Sequence, residues 1–145
     1  MLICVTGPRK VTIKQQRALT KIVEERFKSS TDVVLNVGDA TGVDNIVRMI
    51  AISKGVKNNL FVVLNKSNKF SYAKRSMRMV DATLGGTLFA FPNKKCPNRV
   101  TPDNAFCGSG SGTWGTIAYA KHKNLDIEIH PLVEISLPSW LQPTN

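Results

Sequence analysis

The sequence predicts an α/β fold: a single Rossmann-like domain whose mainly parallel sheet is flanked by helices. Two observations predict it. Short apolar, strand-like runs alternate with segments of helical period, the pattern of successive βαβ units. Glycine-rich segments stand where strand runs give way to helical ones, and a parallel sheet collects all such junctions on one edge.

Taking the elements in order, Leu2 to Thr6 reads as the first strand, ended by Gly7-Pro8. Thr12 and Gln15 have capping-box spacing and open a helix whose apolar stripe is Leu19, Ile22, Val23 and Phe27. Ser29-Ser30-Thr31-Asp32 ends it, and Val33 to Val37 is the second strand. Gly38-Asp39-Ala40-Thr41-Gly42 turns the chain into a helix with Val43, Ile46, Val47, Ile50 and Ala51 on its apolar face, closed by Lys54-Gly55. Leu60 to Leu64 reads as the third strand, Ser71 as the cap of a helix from Tyr72 to about Asp81, and Thr87 to Phe91 as the fourth strand. An irregular stretch, Asn93 to Gly112, follows, with Pro97, Pro102, Lys94, Lys95 and Arg99; a loop that long inside a small domain is commonly functional. Thr113 to His122 is the last helix and Ile127 to Ile129 the last core strand. The domain is expected to occupy residues 1–136, with a proline-bounded tail, 137–145, pinned to the body by Trp140.

Composition narrows the class. The 145 residues suit one buried core, and 42% hydrophobic with 21% charged residues lies far from the disordered regime. No apolar run approaches the roughly 20 residues needed to span a bilayer. Leu2 to Val5 is too short for a signal-peptide core, so a cytoplasmic location with no membrane partner is expected. Cys4, Cys96 and Cys107 form neither a closed disulfide framework nor a Cys/His metal pattern, so no metal is predicted. The 20 basic and 10 acidic residues leave a formal charge of +10, which favours anionic partners, nucleic acid and nucleotides among them, although the charge is spread without an arginine-rich tail.

Three strand-to-helix segments carry the chemistry. Gly108-Ser109-Gly110-Ser111-Gly112-Thr113 is the most informative, because alternating glycines let backbone N–H groups approach an anion, the hydroxyls of Ser109, Ser111 and Thr113 add donors, and a helix N-terminus follows. A flexible linker has similar composition, but the helix that follows at once favours a phosphate site. The spacing is neither a Walker A loop nor a dinucleotide fingerprint. In the second segment, Gly38 and Gly42 permit tight turning, Asp39 is placed to accept from a ribose, and Asp44 lies in the first helical turn, where simple dipole stabilisation competes as its role. The first segment contributes Thr6, Gly7 and Arg9. Lys74, Arg75 and Arg78 cluster on one helix and would complement phosphate charge, with a solvated surface as the plain alternative. His122 and His130 lack partners at useful spacing and receive no role.

Thr6-Gly7-Pro8-Arg9, Gly38 to Asp44, Lys74-Arg75-Ser76-Met77 and Gly110-Ser111-Gly112-Thr113 follow one another in an order that resembles the SLOG superfamily, the Rossmann-like relatives of DNA-processing Smf proteins and lonely-guy phosphoribohydrolases. The likeness runs from about Met1 to Pro131 and is greatest to small, stand-alone bacterial and phage members. It implies a modified Rossmann fold binding a nucleotide or nucleotide-derived ligand, and pairing of subunits as a homodimer. In the lonely-guy enzymes a Pro-Gly-Gly-x-Gly-Thr-x-x-Glu motif supplies phosphate loop and catalytic glutamate; Thr116 occupies the glutamate position here and cannot act as a carboxylate acid or base. Arg75 falls near the family's functional arginine.

Three functions are therefore expected in descending order: binding or sensing of a nucleotide-derived ligand, nucleic-acid binding, and hydrolysis of a nucleotide or nucleoside with Asp39 and Asp44 as the candidate carboxylates. The nucleic-acid reading lacks, on sequence, an aromatic platform beside the basic residues.

Overall fold

β1 (Leu2–Thr6) is central because it has two apolar faces to bury. Successive strand residues point to opposite sides, so Ile3 and Val5 enter one core while Cys4 enters the other, all essentially inaccessible to solvent. The computed structural model describes residues 1–29, 32–108 and 110–142; Ser30, Thr31, Ser109 and the last three residues of the expected tail, Pro143, Thr144 and Asn145, lie outside the described residues. From β1 the chain passes through α1 (Ile13–Ser29), β2 (Val34–Gly38), α2 (Val43–Ser53), β3 (Lys57–Phe61), α3 (Phe70–Asp81), β4 (Thr87–Ala90), α4 (Gly112–His122) and β5 (Asp126–Ile129), then a short 3-10 turn at Ser139–Leu141. The five strands are all parallel in the order β3-β2-β1-β4-β5. This is the single Rossmann-like α/β domain expected from the sequence.

Helices α1 and α2 cover one face, where Leu19, Val23, Phe27, Val43, Val47 and Ala51 meet Leu35, Val37, Phe89 and Phe91. On the other face α3 and α4 pack Met79, Val80, Trp114 and Ile117 against Leu88 and Ala90. The chain first builds the sheet outward from β1 to β3 and then returns to place β4 on the far side of β1. That reversal opens a crevice between the loops after β1 and β4, the location at which open α/β sheets accommodate ligands.

Local signals explain several boundaries. Thr12 and Gln15 form the reciprocal capping box: each backbone N–H donates to the other's side-chain oxygen, at 3.0 and 3.1 Å. The tail folds back, with Leu137, Trp140 and Leu141 against the α3/α4 core and the Trp140 ring edge-on to Trp114 at 6.3 Å. Burial pushes the Cys4 thiol up to about 12, as befits a residue that fills the core.

Two expectations need correction. The third strand lies over Lys57–Phe61, not Leu60 to Leu64. It is an edge strand with an exposed outer side, so Lys57 and Asn58 are tolerated where a search for apolar runs finds no strand. The pairing is fixed by a polar clasp on the α3 side: Asn59 Nδ2 donates to Asn36 Oδ1 at 3.0 Å, while Asn36 Nδ2 donates to Ala82 O and Thr83 Oγ1 at 3.2 and 3.1 Å. Ser71 is not the cap of α3; the helix starts at Phe70, whose N–H donates to Asn68 Oδ1 at 2.9 Å, and Ser71 is buried in the first turn.

Asn36 is the hub of that clasp and is 2% exposed. Asn36→Ala removes three bonds and leaves Asn59 and Thr83 short of partners, so a loss of about 1–3 kcal/mol is expected in urea unfolding. An unchanged midpoint would show that the clasp does not hold β3.

Candidate functional site

The carboxyl edge of the sheet carries a cavity of about 900 Å³ among the described residues, at the upper end of the range for small-molecule sites. It lies at the β1/β4 reversal. Thr6 enters from the end of β1, Gly7 and Arg9 from the β1–α1 loop, Ala40 and Asp44 from the β2–α2 junction, Arg75 from α3, and Gly110, Ser111, Gly112 and Thr113 from the start of α4. The three strand-to-helix segments singled out in the sequence thus converge on one space.

Each loop is shaped by its glycines. Gly42 has φ +77° and backs onto the carbonyls of Pro8 and Arg9, a conformation and a closeness that a side chain would not allow. The Val43 N–H donates to Pro8 O at 3.1 Å and Thr41 Oγ1 to Arg9 O at 3.3 Å, so the β1 and β2 loops are clasped together. Gly42 therefore shapes the site from behind. Gly110 has φ +84° and turns the chain into α4, where the Ser111 hydroxyl caps the helix by accepting from Trp114 N at 3.2 Å. The amides of the first turn of α4 have no intrahelical acceptor and carry the positive end of the helix dipole. Thr116, at the position of the lonely-guy glutamate, is buried in the wall and donates to Gly112 O at 2.8 Å.

Arg75 and Asp44 are the charged groups buried most deeply at the cavity, 8% and 7% exposed. Gly38 makes room for them. A Cβ there would lie 2.7 Å from both Arg75 Nη1 and Asp44 Oδ2. Arg75 Nη1 donates to Asp39 Oδ1 at 2.5 Å, and Asp39 Oδ2 accepts from Val63 N at 3.2 Å. The Arg75 Nε is buried without a hydrogen-bond partner among the described residues. Asp44 accepts from Ala40 N at 3.4 Å. Burial pushes its pKa up to about 6; Arg75, the Ala40 amide and Arg9 oppose that rise, while Asp39 adds to it.

Five of the residues that the sequence pointed to stand apart from the cavity wall. Gly38 and Gly42 support it from behind, and Asp39 is engaged in orienting Arg75. Lys74 is exposed, its Nζ lying 5.3 Å from the Phe70 ring, and Arg78 Nη2 donates to Val62 O at 2.6 Å. Of the basic cluster on α3, only Arg75 lines the cavity. Ser109 lies outside the described residues.

The sequence reading missed the aromatic and additional basic lining. Phe70, Tyr72 and Phe106 line the cavity together with Lys69, Asn93 and Lys94. The Arg9 guanidinium lies over the Tyr72 ring at 5.2 Å, and the backbone of Lys94 is held by Trp114 Nε1 donating to its carbonyl at 2.7 Å. Aromatic rings do stand beside cations here, contrary to the expectation from sequence. The clue was available: Phe70 and Tyr72 flank Ser71 at the start of a helix that follows a strand.

The fold and the placing of the cavity define a doubly wound, Rossmann-like α/β protein, and comparison with solved structures agrees. The chain is similar to the X-ray structure of DNA processing protein A (DprA) from Streptococcus pneumoniae, with a TM-score of 0.65 and 15% identity over 96% of this chain and 52% of that one. The chain thus spans about half the length of that relative. At this identity the likeness shows the fold alone, and the Rossmann-like α/β fold expected from the sequence is borne out. No protein-family model and no curated protein matches the sequence. No helix among the described residues is long and apolar enough to cross a membrane, and no three His, Cys, Asp or Glu side chains among them are grouped as a metal site requires.

The Asp44 environment gives a stability prediction. Its folded pKa, about 6, stands above the ordinary value of 3.8, so the folded state binds the proton more tightly than the unfolded chain. The stabilisation is complete below the unfolded pKa and is lost as pH rises through about 6. Asp44→Asn is expected to gain on the order of 1–3 kcal/mol at neutral pH and to flatten the decline between the two values, read from unfolding curves across that range. A variant less stable than the parent at neutral pH would contradict this.

Proposed function

We propose that the cavity binds a phosphate-bearing, nucleotide-derived small molecule, with Arg9, Arg75 and the first-turn amides of α4 receiving the negative charge. The observation that carries this reading is the convergence of a buried arginine, a second arginine and a helix N-terminus on one cavity at the switch point of the sheet. Thr6, Gly7, Gly110, Ser111, Gly112 and Thr113 form the loop surface along which the ligand lies, and Ser109 belongs to the same loop by sequence. Lys74 and Arg78 contribute only to the surrounding field. Asp39 is a positioning residue that holds Arg75 in place. Binding or sensing rather than hydrolysis is favoured by Thr116, whose hydroxyl is committed to Gly112 O where the lonely-guy enzymes place a glutamate.

A specific observation also favours a second reading, binding of a nucleic-acid strand. Phe70, Tyr72 and Phe106 share the cavity wall with Arg9, Lys69 and Lys94, the combination of stacking surface and cations used for single strands. The solved relative is itself a DNA processing protein, and the +10 charge of this chain suits the same class of partner.

Calorimetry against mononucleotides, cyclic nucleotides and ADP-ribose, alongside an oligonucleotide titrated at several salt concentrations, separates the two readings. The small-molecule reading expects saturable binding of at least one nucleotide, weakened about tenfold or more by Arg9→Ala, an exposed position whose loss leaves the core intact. Absence of binding by every nucleotide at millimolar concentration would contradict it. Oligonucleotide affinity that falls steeply with salt, without nucleotide binding, would establish the second reading instead.

A further inference from the structure

The cavity contains one feature at odds with a purely cationic anion site: the carboxyl group of Asp44, buried within its wall. An ionised carboxylate beside a bound phosphate would repel it in a poorly solvated space. Asp44 is not neutralised by a direct ion pair among the described residues either. Arg75 directs Nη1 to Asp39, and the hydrogen bond that Asp44 itself accepts is a long one from the Ala40 amide.

We infer that Asp44 carries a proton in the ligand-bound protein and donates it as a hydrogen bond to a phosphate oxygen, so that the site selects anions together with a proton. This rests on the reading of the cavity as a phosphate site and assigns a specificity role within it. A protonated carboxyl offers an O–H donor, whereas the ionised form is an acceptor only and excludes an oxyanion. The groups facing Asp44 set the balance. Cys4 from β1 carries no charge at neutral pH, Asp39 from the end of β2 adds negative charge, and Arg9 and Arg75 add positive charge from the β1–α1 loop and α3. Burial outweighs the two arginines and leaves the free carboxyl titrating at about 6. A bound anion adds further negative charge and raises that value again, which draws in a proton. Gly38 is what permits the arrangement, since only a residue without Cβ leaves space for the Asp44 carboxyl and the Arg75 guanidinium side by side.

ADP-ribose is a suitable probe, because its pyrophosphate diester keeps a constant charge across the relevant pH range. Its binding to the full chain and to Asp44→Asn is measured calorimetrically from about pH 6 to about pH 8, in paired buffers of different ionisation enthalpy. For the parent protein, affinity is expected to fall with rising pH, by up to about tenfold per unit, with uptake of roughly half a proton or more near the middle of the range. Asp44→Asn, folded by circular dichroism, is expected to bind with no proton uptake from this site, with a flat pH profile, and more tightly than the parent at the alkaline end. Binding by the parent without proton uptake, uptake retained in Asp44→Asn, or affinity that rises with pH would overturn the inference and leave the phosphate site standing. Failure of ADP-ribose to bind either protein, with no heat from any other nucleotide, would remove the phosphate site and this inference together.

Discussion

The arrangement at the sheet edge depends on one steric constraint, the absence of a side chain at Gly38. Arg75 reaches from α3 across the end of β2 and can do so only because no Cβ projects there. Its guanidinium is then fixed by Asp39, whose other carboxylate oxygen accepts from the Val63 amide just beyond β3. A buried arginine held by a single carboxylate is a charge with remaining donor capacity, and its Nε has no acceptor among the described residues. Asp44 shares the same space. Loop, strand end and helix are therefore coupled through one small volume, and the clasp of Gly42 and Val43 on the Pro8 and Arg9 carbonyls ties the β1 loop to it.

Topology explains why those charges meet the glycine loop of α4. Neighbouring strands stand about 4.8 Å apart, so the ends of β2, β1 and β4 span roughly 10 Å. Groups at these ends can contact different parts of one nucleotide-sized ligand. Because all strands are parallel, every strand-to-helix junction lies on the same edge. The reversal between β1 and β4 then separates the loops enough for a cavity to open between them. On the proposed reading, the net charge would supply a long-range attraction for an anion, and the buried arginine with the helix amides the short-range recognition.

Much of this was legible in the residues themselves. The capping box of Thr12 and Gln15, the apolar stripe of α1 and the apolar run of the first strand, Leu2 to Thr6, follow from local composition, periodicity and hydrogen-bonding chemistry, and local rules are strong there. The meeting of Thr6-Gly7, the β2 junction and the α4 loop was also readable, since it follows from parallel topology. The β3 edge strand was not, because its residues are mostly polar and exposed, and it is held by pairing with β2 and the Asn36–Asn59 bond where no apolar run marks it. Sequence spacing likewise could not sort Lys74, Arg75 and Arg78. Their roles depend on the rotation of α3 about its axis, which sends Arg75 inward, ties Arg78 to Val62 O and leaves Lys74 in solvent. On sequence, Asp39 is expected to face a ribose and Asp44 to serve at least in part the helix dipole, yet Asp39 is bound up with Arg75 and Asp44 faces the cavity. The full aromatic lining escaped because Phe106 lies more than thirty residues beyond Phe70 and Tyr72 in the chain and meets them only in three dimensions.

The most direct test is a crystal structure of the protein grown with ADP-ribose. The account predicts density for the pyrophosphate in the cavity, its oxygens within hydrogen-bonding distance of the Arg75 guanidinium and of backbone amides in the first turn of α4. Ligand density elsewhere on the molecule, or phosphates turned away from both groups, would contradict it.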